Sequence, residues 1–358
     1  MAGEALLPHD AHAWVALRAK EGEAEALTHA DEAHLGRIQP LMILDQATSA
    51  ARQIGRAEGV ARHLHTHHRV LAVDASDVDR STFTPVGALG ELVDRLSYGV
   101  DLFDVGAPIP ILPVLREGAS ARTAADTGRL GEETGTGVAL RIRWRPGIPA
   151  EFERIVEALN VDPRRIDIVV DLGFIEAVPT EHAHAVHTAV ATVRAIGPVR
   201  NLVLLSGSVP SRLSHHGNWQ QDRYEEQLWR EVSARHSDVL FGDYGVVHPK
   251  QAPGWPPKNI TVRYTCSTGW AYWRRPIEES APAHEGDGST DEPPRARTFR
   301  KLCRELVDAD IFAGRYFSWG DHELSDAAHG NGRALGRSSA PIAFATSHHL
   351  AYLATMPT

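Results

Sequence analysis

Eight short runs rich in β-branched residues and leucine recur along this chain: Trp14–Leu17, Ile38–Ile43, Val70–Asp74, Ile109–Leu115, Val138–Trp144, Ile166–Asp171, Leu202–Ser206 and Val239–Gly242. Between them lie apolar residues at helical spacing, such as Phe152, Ile155, Val156 and Leu159, or Val186, Val190 and Val193. Strand-helix alternation of this kind builds a parallel sheet with helical crossovers. Eight such strands predict a (β/α)8-like TIM barrel. A doubly wound open sheet is the alternative, because closure leaves no mark on the sequence. The 358 residues suit a single barrel domain over 1–358, with an extra strand at Ile260–Thr265 after a proline-rich loop at 245–258. Residues 276–297, rich in Pro, Glu, Asp, Gly and Ser, read as a mobile insertion, and Phe299–Leu306 as a helix of a C-terminal elaboration.

Charge narrows the partners. A net charge of −9 argues against general nucleic-acid binding, which requires basic surface. No apolar run reaches the length of a membrane span, and the N-terminus has no basic start or long apolar core, so a soluble, cytoplasmic protein is expected. The two cysteines, Cys266 and Cys303, fit a reducing compartment and have no metal or redox spacing.

Polar residues inside the strands point to a site. In Val138–Trp144, Val138, Leu140, Ile142 and Trp144 share one face, and Ala139, Arg141 and Arg143 share the other, which is the interior of a barrel. Inward arginines require counter-charges or an anionic ligand. Arg18 and Lys20 follow the first strand, Asp74 ends the third, Asp171 the sixth and Asp243 the eighth, while Arg263 lies in the extra strand. Ligand sites of parallel barrels form at this end. Arg18, Lys20, Arg141, Arg143, Asp171, Asp243 and Arg263 are therefore the expected ligand-binding set, with an excess of cations suited to a phosphate-bearing small molecule. An ion-pair lattice is the competing reading. No catalytic set of acid, base and nucleophile can be assigned, and nothing designates a cofactor.

The histidine cluster His63-Leu-His65-Thr-His67-His68 resembles a metal box but precedes the third strand, at the end of a barrel away from its usual site, so no metal is expected. His182, His184 and His187 read as a solvated helix face. The sequence lacks a Walker loop, a dinucleotide glycine fingerprint and a nucleophile elbow. Leu228 and Trp229 occupy apolar positions of a helix leading to the eighth strand, and Trp229 is expected to be mostly buried.

Several blocks together resemble the beta protein family. They are Val15-Ala-Leu-Arg-Ala-Lys-Glu-Gly-Glu23, Gly137-Val-Ala-Leu-Arg141, Asp167-Ile-Val-Val-Asp-Leu-Gly173, and Arg223-Tyr-Glu-Glu-Gln-Leu-Trp229 followed by Phe241-Gly-Asp-Tyr-Gly245 and His248-Pro249. Arg263-Tyr264, Trp270, Gly320-Asp321 and His348-His349 extend the resemblance over nearly the whole chain. It implies a protein of bacteriophages and bacterial antiviral defence islands, encoded near toxin-like or nuclease-like genes that would supply a protein partner. It carries no catalytic residues over. A regulatory or effector-partner role, with an anionic ligand sensed at the barrel mouth, is the expected function. A hydrolase or phosphodiesterase acting on a phosphoester at the same residues is the alternative.

Overall fold

The computed structural model describes residues 11–46, 48–97, 108–145, 148–250, 258–277, 292–331 and 337–356. Eight parallel strands close a barrel in the order β1 (Ala13–Arg18), β2 (Ile38–Ile43), β3 (Leu71–Asp74), β4 (Ile111–Arg116), β5 (Val138–Arg143), β6 (Ile166–Phe174), β7 (Asn201–Gly207) and β9 (Val239–Asp243), and β9 pairs back onto β1. Each strand falls on one of the eight runs, and closure sets aside the open sheet. The crossovers are α1 (Glu21–Thr28) with the short α2 (Glu32–Leu35), α3 (Ala50–Thr66), α4 (Pro85–Ser97), α5 (Ala121–Glu133), α6 (Ile148–Leu159), α7 (Thr180–Ile196) and α8 (Tyr224–Ser233).

Alternation divides each strand between two packings. Val15 and Leu17 of β1 lie outward under the helices, with Leu27, Ile54, Val60 and Leu64. Trp14 and Ala16 point inward to meet Leu41, Ala72, Val114, Ala139, Val169 and Val203, so the barrel interior is filled with side chains.

The chain leaves the barrel once between β7 and β9. There β8 (Gly217–Gln221) joins β10 (Asn259–Cys266) and β11 (Gly269–Pro276) in an antiparallel sheet of order β10-β11-β8. One extra strand was expected and three are found. β8, Gly-Asn-Trp-Gln-Gln, has no β-branched residue and becomes a strand by pairing with β11. One face of this sheet, bearing Val262, Tyr264, Ala271 and Trp273, packs with α9 (Pro294–Val307) and α10 (Trp319–His329). The other carries Arg263, Thr265, Trp270 and Tyr272 toward the barrel.

The last helix, α11 (Ala340–Thr355), joins the two bodies. Leu350 and Leu353 enter the cluster around β1 and β2, Phe344 enters the cluster under α9 and α10, and Ala345 meets Trp270 and Tyr272. It is buried nearly all round, as a helix packed on every side must be. Among the described residues no helix is long and apolar enough to cross a membrane. At the two ends of the expected insertion at 276–297 the chain is regular, since Pro276 closes β11 and α9 begins at Pro294. Residues 278–291 lie outside the described residues, as do 251–257 of the proline-rich loop.

Leu228 is fully buried, whereas Trp229 is only partly so, lying where the two outer clusters meet. Its ring stands edge-on to Phe241 at 5.6 Å and its Nε1 donates to the Val239 carbonyl at 2.9 Å. Trp229→Ala is expected to cost about 2–3 kcal/mol, short of the ~3–5 of a fully buried ring. Trp229→Phe, which keeps the packing and loses one hydrogen bond, should cost about 1 kcal/mol. Denaturant unfolding checks both, and an unmoved midpoint for the alanine variant would refute the assignment.

Candidate functional site

Arg141 occupies the centre of the barrel's C-terminal end and is 5% exposed. Its Nη1 donates to Asp74 Oδ2 at 2.7 Å, and its Nε and Nη2 donate to Asp171 Oδ2 at 3.1 and 2.9 Å. Nη2 also donates to the Tyr244 hydroxyl at 2.8 Å, which itself donates to Asp171 Oδ1 at 2.6 Å. Arg143, one pleat nearer the solvent, reaches Asp171 Oδ2 at 3.4 Å with a third of its side chain exposed. Burial drives the Asp171 carboxyl up, but the Arg141 and Arg143 charges, the Tyr244 hydroxyl and the Gly173 amide outweigh it and hold it below the usual carboxylate range. Arg141 therefore has its carboxylates within the barrel. The cation excess expected at the mouth is absent at its centre, because Asp74 supplies the second counter-charge.

Three strand ends share a device that orients these carboxylates. Asp74 Oδ1 accepts the Ser76 N–H, Asp171 Oδ1 the Gly173 N–H and Asp243 Oδ1 the Gly245 N–H, at 2.9, 2.7 and 2.9 Å. Each is a turn in which an aspartate caps the backbone two residues on. Gly173 and Gly245 have φ of +67° and +59°, which favours glycine. A Cβ at Gly173 would also meet the Arg143 guanidinium at 2.3 Å.

Asp243 does not share this mouth. Alternation in β9 turns Tyr244 inward and Phe241 outward, and Asp243 follows Phe241. Outside the barrel it accepts from Arg223 Nη2 at 3.3 Å and from His349 Nε2 at 2.9 Å. His349 Nδ1 meets the Thr265 hydroxyl at 2.8 Å, and burial holds the imidazole below its usual pKa against the pull of Asp243. Arg223 also donates to Glu225 Oε1 at 3.2 Å and Glu226 Oε2 at 2.5 Å, and its guanidinium lies over Trp270, Tyr352 and Phe241 at 5.2 to 5.7 Å. Trp270 Nε1 donates to Glu225 Oε1 at 3.1 Å. Beside this network, His348 meets the Asp321 carboxylate and the Thr265 carbonyl, while Tyr264 donates to Asp321 at 2.6 Å.

Arg263 also stands outside the barrel. It lies directly across β10 and β11 from Tyr272, on the face turned to the barrel. Among the described residues its guanidinium makes no hydrogen bond or ion pair, and its Nε is buried without a partner. The Tyr272 hydroxyl and Glu225 Oε2 are likewise buried and unpartnered, in residues 0% and 1% exposed. The three are close enough for charge to act between them, since Arg263 and Glu225 both act on Tyr272. Arg263 acts in turn with buried Glu23 of α1, which feels Lys20, Arg18 and Asp45. Arg18 donates to Asp45 at 2.9 Å and to the Pro249 carbonyl at 2.7 Å. Burial pushes the Glu23 and Glu225 carboxyls up, and Lys20 and Arg223 respectively only moderate that rise.

The seven expected residues thus fall in three settings. Arg141, Arg143 and Asp171 form the mouth network with Arg18, which follows Ala16 on the inward face of β1 and pairs with Asp45, at its edge; Asp243 lies in the Arg223 network, and Lys20 and Arg263 border a polar seam between barrel and sheet. Glu23, Asp45, Glu225 and Tyr272 were missed. Glu23 had one legible signal, its position four residues before Leu27 on the apolar side of α1. At the opposite end of the barrel, His63 and His67 meet edge to face. Among the described residues no group of three or more His, Cys, Asp or Glu is arranged to hold a metal.

A family model described as Beta protein matches residues 15–355. No curated protein matches the chain. Among solved structures, XacCel5A in complex with cellopentaose is similar at 11% identity, covering 69% of this chain and 93% of that one with a TM-score of 0.39. Alanine racemase of Clostridium difficile 630 in complex with cycloserine is similar at 10% identity, covering 70% and 54% with a TM-score of 0.33.

Replacing Asp171 should expose what the mouth network contributes. Asp171→Asn leaves Arg141 buried with one full counter-charge and is expected to cost on the order of 3 kcal/mol at pH 7. Because the folded pKa of Asp171 is depressed, its contribution is complete above the unfolded value of roughly 4 and disappears as pH falls through the folded value. The stability gap between wild type and variant should therefore narrow in acid, as read from urea unfolding across pH 2–7 in roughly unit steps. Arg143→Ala, at a partly exposed pair, should cost no more than about 1 kcal/mol.

Proposed function

The chain belongs to the beta protein family, and we propose that it is a ligand-sensing regulatory protein whose small polar ligand binds in the seam between the barrel and the three-stranded sheet. The observation that carries this reading is the convergence of Arg263, Tyr272 and Glu225, from three elements, with buried polar atoms that have no partner. An unsatisfied buried donor or acceptor costs about 1–3 kcal/mol, and more when charged, so a bound group that satisfies all three gains a large share of its affinity there. The last helix, α11, packs against α1, β1 and β2 of the barrel and against β10 of the sheet. A ligand in the seam would tighten the docking of the sheet, a change that a partner protein can read. The genomic setting implied by the family resemblance, beside toxin-like or nuclease-like genes, supplies the class of partner. Both cysteines are buried free thiols, which supports the cytoplasmic reading.

The phosphoester-hydrolase reading has less support. Asp171 already accepts from Arg141, Arg143, Tyr244 and Gly173. Asp243 is held by Arg223, His349 and Gly245 outside the barrel. Neither carboxylate faces Arg263.

A thermal-shift and calorimetric screen of nucleotides, cyclic nucleotides, sugar phosphates and amino acids on the full chain tests the proposal. At least one class should bind, adding about 2.7 kcal/mol of stability when present at a hundred times its Kd. Arg263→Gln should abolish that gain and Arg143→Ala should not. A ligand that depends on Arg143 and ignores Arg263 would move the site to the barrel mouth, and a screen without binders would end the sensor reading.

A further inference from the structure

The seam is polar in a directional way. At one end, Arg223 and Arg230 are paired with three acidic side chains, Glu225, Glu226 and Asp243. The unpartnered oxygen at that end is Glu225 Oε2, which only accepts a hydrogen bond when ionised. At the other end, Arg263 acts with the buried Glu23 carboxyl and with Arg274, and Lys20 acts on the same Glu23. Arg263 has only donors to offer. The Tyr272 hydroxyl, which donates and accepts, lies between the ends and feels both. Lys20 and Arg263 keep partial exposure, whereas Glu225 and Tyr272 are closed off, so the positive end is the open one.

We propose that the ligand is a small zwitterion of the α-amino acid class, its ammonium group donating to Glu225 at the closed end and its carboxylate received by Arg263 and Lys20 at the open end. This rests on the seam being the ligand site. A simple anion would satisfy Arg263 and leave Glu225 Oε2 buried without a donor. A simple amine would do the reverse. A molecule carrying both charges satisfies both ends at once, and the unlike charges of the seam then match it in sign and order.

The test is calorimetry on the full chain with the twenty L-amino acids, followed for each binder by its N-acetyl derivative and its amide, with inorganic phosphate alongside. At least one free amino acid should bind. Removing either ligand charge should weaken binding on the order of tenfold to a hundredfold. Glu225→Gln should reproduce the loss seen on N-acetylation, Arg263→Gln that seen on amidation, and the two losses should not add when variant and matching derivative are combined. The derivatives act on the wild-type chain, so the result stands even where a variant fails to fold. If N-acetyl derivatives, inorganic phosphate or the sugar phosphates bind through Arg263 as tightly as any free amino acid, the zwitterion assignment falls while the ligand seam stands. If no compound of any class binds, both fall.

Discussion

A guanidinium inside a barrel cannot shed its proton, so Arg141 obliges the surrounding strands to bring it negative charge. Asp74 from β3 and Asp171 from β6 do so across the interior, and Tyr244 after β9 completes the set. Each requirement propagates. Asp171 is aimed by the Gly173 amide, so β6 bulges there and needs a residue tolerant of positive φ. Asp74 is aimed in the same manner by Ser76. Four strand ends are fixed around one cation, and the middle of the mouth becomes a satisfied polar plug. An incoming anion would have to break bonds already made there.

The proposed ligand site accordingly lies to one side of the barrel. Between β7 and β9 the chain departs to form β8, and after β9 it returns as β10 and β11, so the extra sheet lies beside the ends of β7, β9 and β1. Several of the blocks that carry the family resemblance meet there. Arg223, Glu225 and Glu226 open α8, Asp243 ends β9, Trp270 begins β11, and His349 comes from α11. Acidic residues in the first turn of α8 also suit the positive end of its dipole. This network locks barrel, sheet and last helix together.

The barrel was legible because its signal is local. Period-two burial within each run and period-3.6 spacing between runs survive in any sequence that fills a barrel inside and covers it outside. The inward direction of Arg141 and Arg143 followed from the same alternation. Asp243 was misplaced because its neighbour Tyr244 is the inward residue, and a one-residue shift of register at a strand end reverses a side chain's face. β8 was invisible because Gly217, Asn218, Gln220 and Gln221 have no strand preference of their own, and pairing with β11 decides their conformation. Glu225 and Tyr272 were unreadable as a pair because they come together only when a sheet built from distant segments docks on the barrel.

Arg141 and Arg263 show how a structural charge differs from the one proposed to bind a ligand. Both are arginines on strands near the barrel's C-terminal end, both feel strong desolvation, and each has a tyrosine beside it. Arg141 answers burial with two aspartates, and its positive charge is reinforced. Arg263 has no such pair, and burial lowers its pKa from the usual arginine value. An uncompensated guanidinium is destabilising unless something outside the chain supplies the missing partner. Glu225 presents the mirror case, a carboxyl with one oxygen satisfied by Trp270 and Arg223 and the other without a hydrogen bond among the described residues. Two opposite charges left incomplete at the two ends of one seam are poor for folding alone, and such breaches of local satisfaction gather where a structure is organised around a ligand.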